Sequence, residues 1–494
     1  MSIDNSVSRI TPDGELKLRK LGIILFILVS LVSLISLLWA TDISLSLPFL
    51  YAIYIIVTLY VLRFAKVDIF SPLMFFVLFS FLGFGLQLPI LSIVPNSVFY
   101  LNSSYHPNFE HSNYALAFAF YVFLVGYIGF IVGFNMIKRS VKLTISERLV
   151  HPLGIAIVAV ILTIASFYFR SLYRVVVPGS YAALIQHAGY IYYPLMYGSL
   201  IATSLTLYSA IIRNSVFYTM LGVLLFLLHA LLGAVLGWKG DFIFAFLIIL
   251  MIYYYVDRYR LGNISKDIRR LIKIMIVILF ILFVLFYSVV GSYRTFFIIN
   301  QSQTNIALFV SVLNKNLNAV MQNFSEILTA MQNRVSYFGN LVAITTYFQQ
   351  NIVRGSEIPS FFLNLLNIGI PPEQYYTVYI LGVNLGLNAP TGWGALYIYG
   401  GVLGVLIGMI FFGMMCKFLY LTFIANISRD GRWIIFYVIF MSKIFLNVIF
   451  EGTLINHFKK NFVALLFVYA FFIFMLSIVH PIKYTKKLFE EEKL

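Results

Sequence analysis

The chain has little charge and almost no cysteine. Only 11% of its 494 residues are Asp, Glu, Lys or Arg, whereas soluble proteins carry about 25%. The single cysteine, Cys416, can form no internal disulfide and no Cys-clustered zinc or iron–sulfur site. These two shortages exclude a soluble globular enzyme of this length and a disulfide-stabilised secreted scaffold.

The sequence also lacks the common nucleotide and metal motifs. It has no GxxxxGK[ST] loop, no HExxH helix and no DxD pair, so ATP-driven transport, zincin chemistry and metal-bound nucleotide sugars are not expected. The seven histidines are scattered, and no two of them have the spacing of helical metal ligands. The sequence therefore predicts no metal and no cofactor.

Apolar residues dominate what is present. They account for 61% of the chain, and the mean hydropathy is +0.94. Runs of about 18 to 25 apolar residues, long enough to cross a bilayer, predict an all-α polytopic membrane protein with about twelve transmembrane helices. The runs are 21–39, 45–62, 69–91, 113–136, 149–169, 191–212, 216–236, 241–256, 272–290, 393–416, 433–450 and 461–480.

The formal charge of +16 follows this membrane pattern. The basic residues fall between the apolar runs instead of on one solvated face, so nucleic acid is not the expected partner. With a cytoplasmic N-terminus, 24 of the 34 Lys and Arg residues lie inside, nine lie outside and Lys443 lies within a helix. The positive-inside rule then predicts that both termini are cytoplasmic.

The predicted helices divide the chain into three parts. Residues 1–290 hold helices one to nine, residues 291–391 form a large extracytoplasmic loop, and residues 392–494 hold the last three helices and a cytoplasmic tail. The loop has 13 Asn, 7 Gln and little Pro or Ser, a composition that favours folding over a flexible linker. Apolar residues at three-to-four spacing in 305–351 predict a helix that lies across the bundle or re-enters it.

Arginine is prominent on the predicted outer face. Guanidinium groups match phosphate oxygens, and a water-poor site at the membrane surface strengthens that pairing. The alternative is that each side chain snorkels or pairs locally with Glu326, Glu357 or Glu373. The five arginines are Arg170, Arg174, Arg294, Arg334 and Arg354.

Two lysines occupy unusual positions. Lys239 lies in a tight turn at the outer end of a helical hairpin, where it either reaches a lipid-borne phosphate or neighbours Asp241. Lys443 shares a helix face with Asn447 and Glu451. A charge within the membrane is functional by default, although neighbouring carbonyls would satisfy a lysine equally well.

The large loop also contains adjacent aromatic residues. Sugar C–H faces lie against aromatic rings, and Asn and Gln side chains both donate to and accept from sugar hydroxyls. A loop that merely solvates itself is the alternative interpretation. Together with the arginines, the composition indicates a lipid-linked glycan as the substrate. The aromatic pairs are Phe296–Phe297, Tyr337–Phe338, Tyr347–Phe348, Phe361–Phe362 and Tyr375–Tyr376.

Five short stretches between about residue 215 and about residue 480 carry a family resemblance. They are Gly237-Trp238-Lys239-Gly240, Ser292-Tyr293-Arg294, Asn333-Arg334, Ile370-Pro371-Pro372 and the run from Thr391 to Gly401. Together with twelve predicted helices and one large outer loop, they resemble the Wzy-type O-antigen polymerases, or oligosaccharide repeat-unit polymerases, which share a GT-C-like membrane fold with the O-antigen ligases.

The resemblance implies a membrane glycosyltransferase of lipopolysaccharide synthesis. A growing glycan on polyprenyl (undecaprenyl) diphosphate would be the donor, and the terminal hydroxyl of a second lipid-linked repeat unit would attack its anomeric carbon. Arg294, Arg334 and Arg354 would neutralise the diphosphate leaving group without a metal ion. Glu357 is a candidate general base by location, as are Glu373, Glu451 and His187. The substrate-binding candidates are Arg170, Arg174, Lys239, Tyr293, Tyr337 and His187.

The resemblance also implies a location and partners. The protein would be a multi-pass protein of the bacterial or archaeal cytoplasmic (inner) membrane, with the large loop outside. Its partners would be the lipid bilayer, polyprenyl-diphosphate-linked oligosaccharides and a chain-length regulator protein.

Three other functions remain open. An O-antigen ligase differs mainly in its acceptor, and a polysaccharide flippase or transporter would have a similar number of helices but shorter loops. A metal-dependent GT-C transferase would require an acid in the first outer loop, where Asp42 lies.

Overall fold

The structure is a computed structural model, and it is helical throughout the part of the chain that it describes. The described residues are 46–64, 68–87, 113–137, 152–172, 182–235, 240–258, 264–282, 311, 337–350, 370–380, 390–427, 432–451 and 461–479. No strand occurs within these ranges.

Thirteen helical segments occur within the described residues, and three of them continue as π-helix. The segments are α1 (Ser46–Phe64), α2 (Pro72–Ser80, then π-helix Phe81–Gly85), α3 (Asn113–Met136), α4 (Pro152–Leu172), α5 (Ala182–Ile212), α6 (Val216–Val235), α7 (Gly240–Arg258), α8 (266–282), α9 (Tyr337–Gln350), α10 (Pro372–Tyr375, then π-helix Tyr376–Ile380), α11 (Gly392–Ile427), α12 (Trp433–Ile439, then π-helices Phe440–Phe445 and Asn447–Glu451) and α13 (Val463–Val479).

Several of these helices suit a bilayer. Five are long and apolar enough to cross a membrane, and four shorter apolar helices accompany them within the described residues. The chain is therefore an all-α protein with membrane-spanning helices. The total of twelve spans and the GT-C-like fold stay predictions: run 21–39 lies outside the described residues, and run 272–290 is described only to residue 282. The five long spans are Tyr114–Met136, Pro152–Phe169, Tyr193–Ile212, Val216–Val235 and Gly392–Phe423.

The chain forms two compact units, each built from separated stretches of sequence. Unit 1 comprises residues 1–140, 332–421 and 447–455. Unit 2 comprises residues 141–331, 422–446 and 456–494. The three parts predicted from the sequence, 1–290, 291–391 and 392–494, divide the chain by predicted membrane topology and stay a prediction.

In unit 1, α11 is interrupted where the sequence places two adjacent glycines. Gly400 and Gly401 have non-helical dihedral angles, and Gly401 has a φ of 60° with a ψ of −150°, a conformation open only to glycine. A Cβ placed on Gly404 would lie 2.6 Å from the carbonyl oxygen of Leu396, whereas eight residues of continuous helix span about 12 Å. The chain therefore reverses, and the predicted span 393–416 divides into a short arm, 392–399, and a long arm, 402–427.

The long arm of α11 packs closely against α3. A Cβ on Gly129 would lie 3.2 Å from the carbonyl oxygen of Leu406, and a Cβ on Gly133 would overlap the carbonyl oxygen of Ile410. Small residues let two helix backbones approach in this way. Because the residue numbers rise together along both helices, α3 and the long arm run parallel.

The short arm anchors the core of unit 1 through Trp393. This side chain is fully buried, and its indole Nε1 donates a hydrogen bond to the carbonyl oxygen of Phe123 at 3.1 Å. The Phe84 ring lies 4.9 Å from it, centroid to centroid. Gly126 leaves the space that the indole fills, since a Cβ there would overlap Nε1.

Part of the segment predicted to be an outer loop is packed into unit 1. Helix α9 contacts α3, the Phe338 amide donates to Gln87 Oε1 at 3.2 Å, and the Phe338 ring is 6.0 Å from that of Phe120. Residues 337–350 thus belong to the helical bundle of this unit, as the apolar spacing in 305–351 predicts for its C-terminal part.

Unit 2 is held together by hydroxyl contacts and aromatic packing. Thr163 of α4 and Ser199 of α5 form a hydrogen bond of 2.6 Å between their hydroxyl groups. Helix α5 also contacts α6, α7, α12 and α13. In the α12–α13 region, the rings of Phe436 and Tyr469 lie 4.8 Å apart.

Candidate functional site

The structure describes few of the site residues predicted from the sequence. Arg170 lies in α4, His187 lies in α5 and Tyr337 begins α9, and only the helical backbone of these three is described. The other predicted site residues, Arg174, Lys239, Tyr293, Arg294, Arg334, Arg354 and Glu357, lie outside the described residues. Their roles stay predictions.

The described part of unit 1 has a candidate binding surface of its own, which we name the aromatic platform. The rings of Phe348 and Tyr375 stack at 6.1 Å, and those of Tyr375 and Tyr379 stack at 5.0 Å. Tyr397 joins this group edge-on to Phe348 at 5.9 Å. The platform consists of Tyr114, Phe118, Phe348, Tyr375, Tyr379 and Tyr397.

The platform extends to the N-terminal end of α3. Tyr397 lies edge-on to Phe118 at 6.5 Å, and Phe118 stacks with Tyr114 at 6.4 Å. The platform is thus assembled from α3, α9, α10 and the short arm of α11. Of its inner rings, Tyr375 and Tyr397 are buried, and Phe118 and Phe348 are half-buried.

The two ends of the platform are open. The exposed fractions are 42% for Tyr114 and 48% for Tyr379, whereas Tyr375 is buried. An exposed tyrosine offers an apolar ring face together with a hydroxyl that donates and accepts hydrogen bonds. This combination suits a ligand with C–H faces and hydroxyl groups, as a sugar has.

Unit 2 contains a second unusual feature, a buried ion pair. The Lys443 ammonium donates a hydrogen bond to Asp241 Oδ1 at 2.7 Å, and the side chains are 7% and 3% exposed. The ammonium also lies over the ring of Phe244, 3.8 Å from its centroid. Lys443 belongs to the π-helix Phe440–Phe445, and π-helical turns are frequent at functional sites.

Local packing brings Asp241 to this position. Asp241 lies in the first turn of α7, where the positive end of the helix dipole stabilises a carboxylate. It packs against Gly233 of α6, and a Cβ on Gly233 would overlap Asp241 Oδ2. The pair is therefore enclosed by α6, α7 and α12, and each charge depends on the other because neither is exposed to water.

Sequence reasoning found half of this pair. Lys443 is predicted to be either functional or satisfied by carbonyl groups, and the structure gives it a carboxylate partner from another helix. Asp241 is predicted only as a possible neighbour of Lys239. A signal for the pairing was present in the sequence. Asp241 is the one charged residue of the predicted run 241–256, and Lys443 is the one charged residue of the run 433–450. Asp257 and Glu451 lie just beyond the two runs.

The platform was largely missed by sequence reasoning. The aromatic pairs of the large loop include Tyr347–Phe348 and Tyr375–Tyr376, and the structure joins Phe348 to Tyr375. Tyr114, Tyr379 and Tyr397 were not predicted as site residues. Nothing in the local sequence distinguishes Tyr114 and Tyr379 from the other tyrosines of the chain, whereas Tyr397 lies in the run from Thr391 to Gly401 that is part of the resemblance.

Comparison of the chain with known proteins found no match. No protein-family model, no curated protein and no solved structure matches the chain. Among the described residues, no three His, Cys, Asp or Glu side chains are placed to hold a metal ion together.

Proposed function

We propose that the protein is a membrane glycosyltransferase that polymerises lipid-linked oligosaccharide repeat units. The observation that carries the proposal is the aromatic platform, a set of contacting rings with exposed tyrosines at both ends. Sugar rings bind such surfaces through their C–H faces. The predicted basic groups of the outer segments supply the affinity for diphosphate that a lipid-linked sugar requires.

The direction of the helices agrees with this proposal. The predicted topology requires residues 113–136 and 393–416 to cross the membrane in the same direction, and α3 and the long arm of α11 run parallel. In that topology the N-terminal end of α3, which carries Tyr114 and Phe118, faces the extracytoplasmic side. Lipid-linked repeat units would meet the platform there.

The proposed reaction is a single displacement of diphosphate. The acceptor hydroxyl oxygen forms a bond to the anomeric carbon of the donor, the bond from that carbon to the diphosphate oxygen breaks, and the hydroxyl proton passes to a general base. Glu357 is the proposed base. Arg294, Arg334 and Arg354 stabilise the charge that develops on the leaving diphosphate, as oriented cations do in a water-poor site.

A tyrosine series tests the platform. Tyr379→Ala should raise the KM for lipid-linked repeat units about tenfold, since loss of one ring contact costs about 1.4 kcal/mol. Tyr379→Phe keeps the ring and should retain most of the affinity. Tyr168→Ala is the matched control, because Tyr168 is 64% exposed on α4 of unit 2. Equal KM values for wild type and Tyr379→Ala would refute a role of the platform in sugar binding.

An arginine series tests the leaving-group step. Arg294→Ala, Arg334→Ala and Arg354→Ala should each lower the polymerisation rate by a factor on the order of 100, and lysine should restore only part of it. Purified protein and lipid-linked repeat units are sufficient for the assay, with insertion and expression checked for each variant. Normal long chains from all three alanine variants would refute the diphosphate mechanism.

The same assay tests metal dependence. EDTA should leave polymer formation unchanged if arginines alone neutralise the leaving group. Loss of activity with EDTA and recovery with magnesium or manganese would instead favour the metal-dependent transferase, with Asp42 as a ligand.

Cysteine labelling tests the topology on which the proposal rests. An Asn351→Cys variant should react with a membrane-impermeant thiol reagent in intact cells. Background labelling of the native Cys416 should be low, because that thiol is buried. Labelling only after the cells are opened would put the large segment in the cytoplasm and overturn the outer location of the site.

The buried Lys443–Asp241 pair favours one other function, ion-coupled transport of a polysaccharide. Intramembrane carboxylates and lysines form proton relays in pumps and transporters. Proteoliposomes that translocate lipid-linked oligosaccharides in response to a pH gradient, without making polymer, would establish that function in place of the transferase.

A further inference from the structure

Helix α8 carries basic residues at helical spacing in its first two turns. Lys266, Arg269, Arg270 and Lys273 are all exposed, and their i, i+3, i+4 and i+7 spacing places them on one face. The opposite face is buried through residues such as Ile268 and Ile272. We name the four residues the basic stripe.

The start of this helix is fixed by its neighbours. The Ser265 amide donates to Asn214 Oδ1 at 2.8 Å, and Ser265 Oγ accepts from the Ile268 amide at 3.4 Å. The turn that holds Asn214 also holds the exposed Arg213. A fifth basic side chain therefore lies on the turn that caps the helix bearing the stripe.

The exposed face of α8 changes from charged to apolar within one turn. Beyond Lys273, the exposed residues of the helix are Ile274, Val277, Ile278, Phe280 and Ile281. In a membrane-spanning chain, exposed apolar side chains face lipid tails. The basic stripe is thus located where lipid headgroups begin.

The stripe has no evident role in stabilising the helix itself. Cations in the first turns of a helix are unfavourable to its dipole. Within the described part of the chain, one ion pair involves the stripe, that between Arg269 and Asp257 at 2.9 Å, and both side chains are about half exposed. Lys266, Arg270 and Lys273 form no ion pair with the described residues, and the one acidic side chain between them in sequence, Asp267, is itself exposed.

We propose that the basic stripe, with Arg213, is a binding site for the phosphate headgroups of anionic phospholipids. The charge of the stripe complements a phosphodiester, and the adjoining apolar face accommodates the acyl chains. Each Lys or Arg near an anionic membrane surface adds about 1 kcal/mol to binding. This site lies in unit 2 and is independent of the proposed transferase activity.

Lipid binding to the purified full chain tests the proposal. Wild type in detergent should bind phosphatidylglycerol in preference to phosphatidylcholine, as measured by native mass spectrometry and by the rise in Tm on lipid addition. A Lys266→Gln/Arg270→Gln/Lys273→Gln variant should lose affinity for phosphatidylglycerol by a factor on the order of 100. Arg269 is left in place because it pairs with Asp257.

Two control variants separate the site from general charge effects. Lys266→Arg/Arg270→Lys/Lys273→Arg keeps the charges and should keep the affinity. Lys483→Gln/Lys486→Gln/Lys487→Gln removes the same charge from the tail and should also bind normally. Unchanged lipid preference in the stripe variant, or an equal loss in the tail variant, would overturn the proposal. Full displacement of the lipid by inorganic phosphate would also overturn the proposal, because the stripe would then be a binding site for a free anion.

Discussion

Two helix contacts in this protein bring their helices together by opposite means. Where α3 meets the long arm of α11 in unit 1, Gly129 and Gly133 allow the helix backbones to approach closely. Near the C-terminal end of α3, the Lys417 ammonium of the long arm lies over the ring of Phe134, 4.8 Å from its centroid. Where α7 meets α12 in unit 2, the contact includes a buried ion pair between Asp241 and Lys443 as well as the rings of Tyr255 and Tyr437. The close approach of the backbones in the first contact depends on small side chains, whereas the second contact contains two matched buried charges.

The difference between the two contacts predicts that they respond differently to substitution. The glycine contact should tolerate no added volume, because the neighbouring atoms are backbone and cannot move independently. The charged contact should tolerate neutralisation of both partners but not of one, because a single buried charge has no water to solvate it. Substitutions at three contacts, given in order of expected effect, test this comparison.

The largest effect is expected at the ion pair. Lys443→Met should lower the free energy of unfolding by about 3–5 kcal/mol, because Asp241 keeps a buried charge without its partner. Asp241→Asn should cost a similar amount for the same reason. Unfolding in mixed micelles titrated with SDS gives these free energies.

The double variant sharpens this prediction. Lys443→Met with Asp241→Asn should restore stability to within about 1 kcal/mol of wild type, because no lone charge remains. If the single and double variants lose the same stability, the contact depends on shape, and the contrast with unit 1 disappears.

A smaller effect is expected at the glycine contact. Gly133→Ala should destabilise the protein by about 1–3 kcal/mol, since its methyl group would overlap the carbonyl oxygen of Ile410. Gly154→Ala in α4 is the matched control, because no atom lies within 4 Å of a Cβ at that position. The same SDS titration applies, and equal stability of the two variants would show that the α3–α11 contact is looser than described.

The smallest effect is expected where a charge pair is exposed. Asp257→Asn removes the partner of Arg269, but water solvates both groups, and such pairs contribute about 0–1 kcal/mol. A change in Tm as large as that of Lys443→Met would mean that burial is not what distinguishes the two ion pairs.

The helices were predicted well from the sequence because their signal is local. The run 113–136 coincides with α3, and the run 216–236 differs from α6 by a single residue. Bilayer thickness sets the length of an apolar run, so each span is encoded in consecutive residues. Two runs depart from this pattern. The helix predicted at 191–212 begins at Ala182, and in the run 393–416 the composition is apolar throughout, so the reversal at Gly400–Gly401 leaves no hydropathy signal.

The candidate sites were predicted less well because their partners are distant in sequence. Lys443 and Asp241 are separated by 202 residues, and a charged side chain within an apolar run does not indicate which helix holds its partner. The platform joins residues from four helical segments. Residue type indicated which groups to expect, aromatic rings and a charge within an apolar run, but not which residues meet.

The sequence by itself determined that this is a helical membrane protein, because apolar runs of bilayer length and the scarcity of charge act residue by residue along the chain. Tertiary structure decided the contacts that distinguish its two units. Trp393 reaches the carbonyl of Phe123 only because the chain reverses at Gly401 and Gly126 leaves room for the indole. Asp241 meets Lys443 only because Gly233 lets α7 pack against α6. Such contacts depend on how closely helix backbones approach, a property of the packed molecule and not of any single segment.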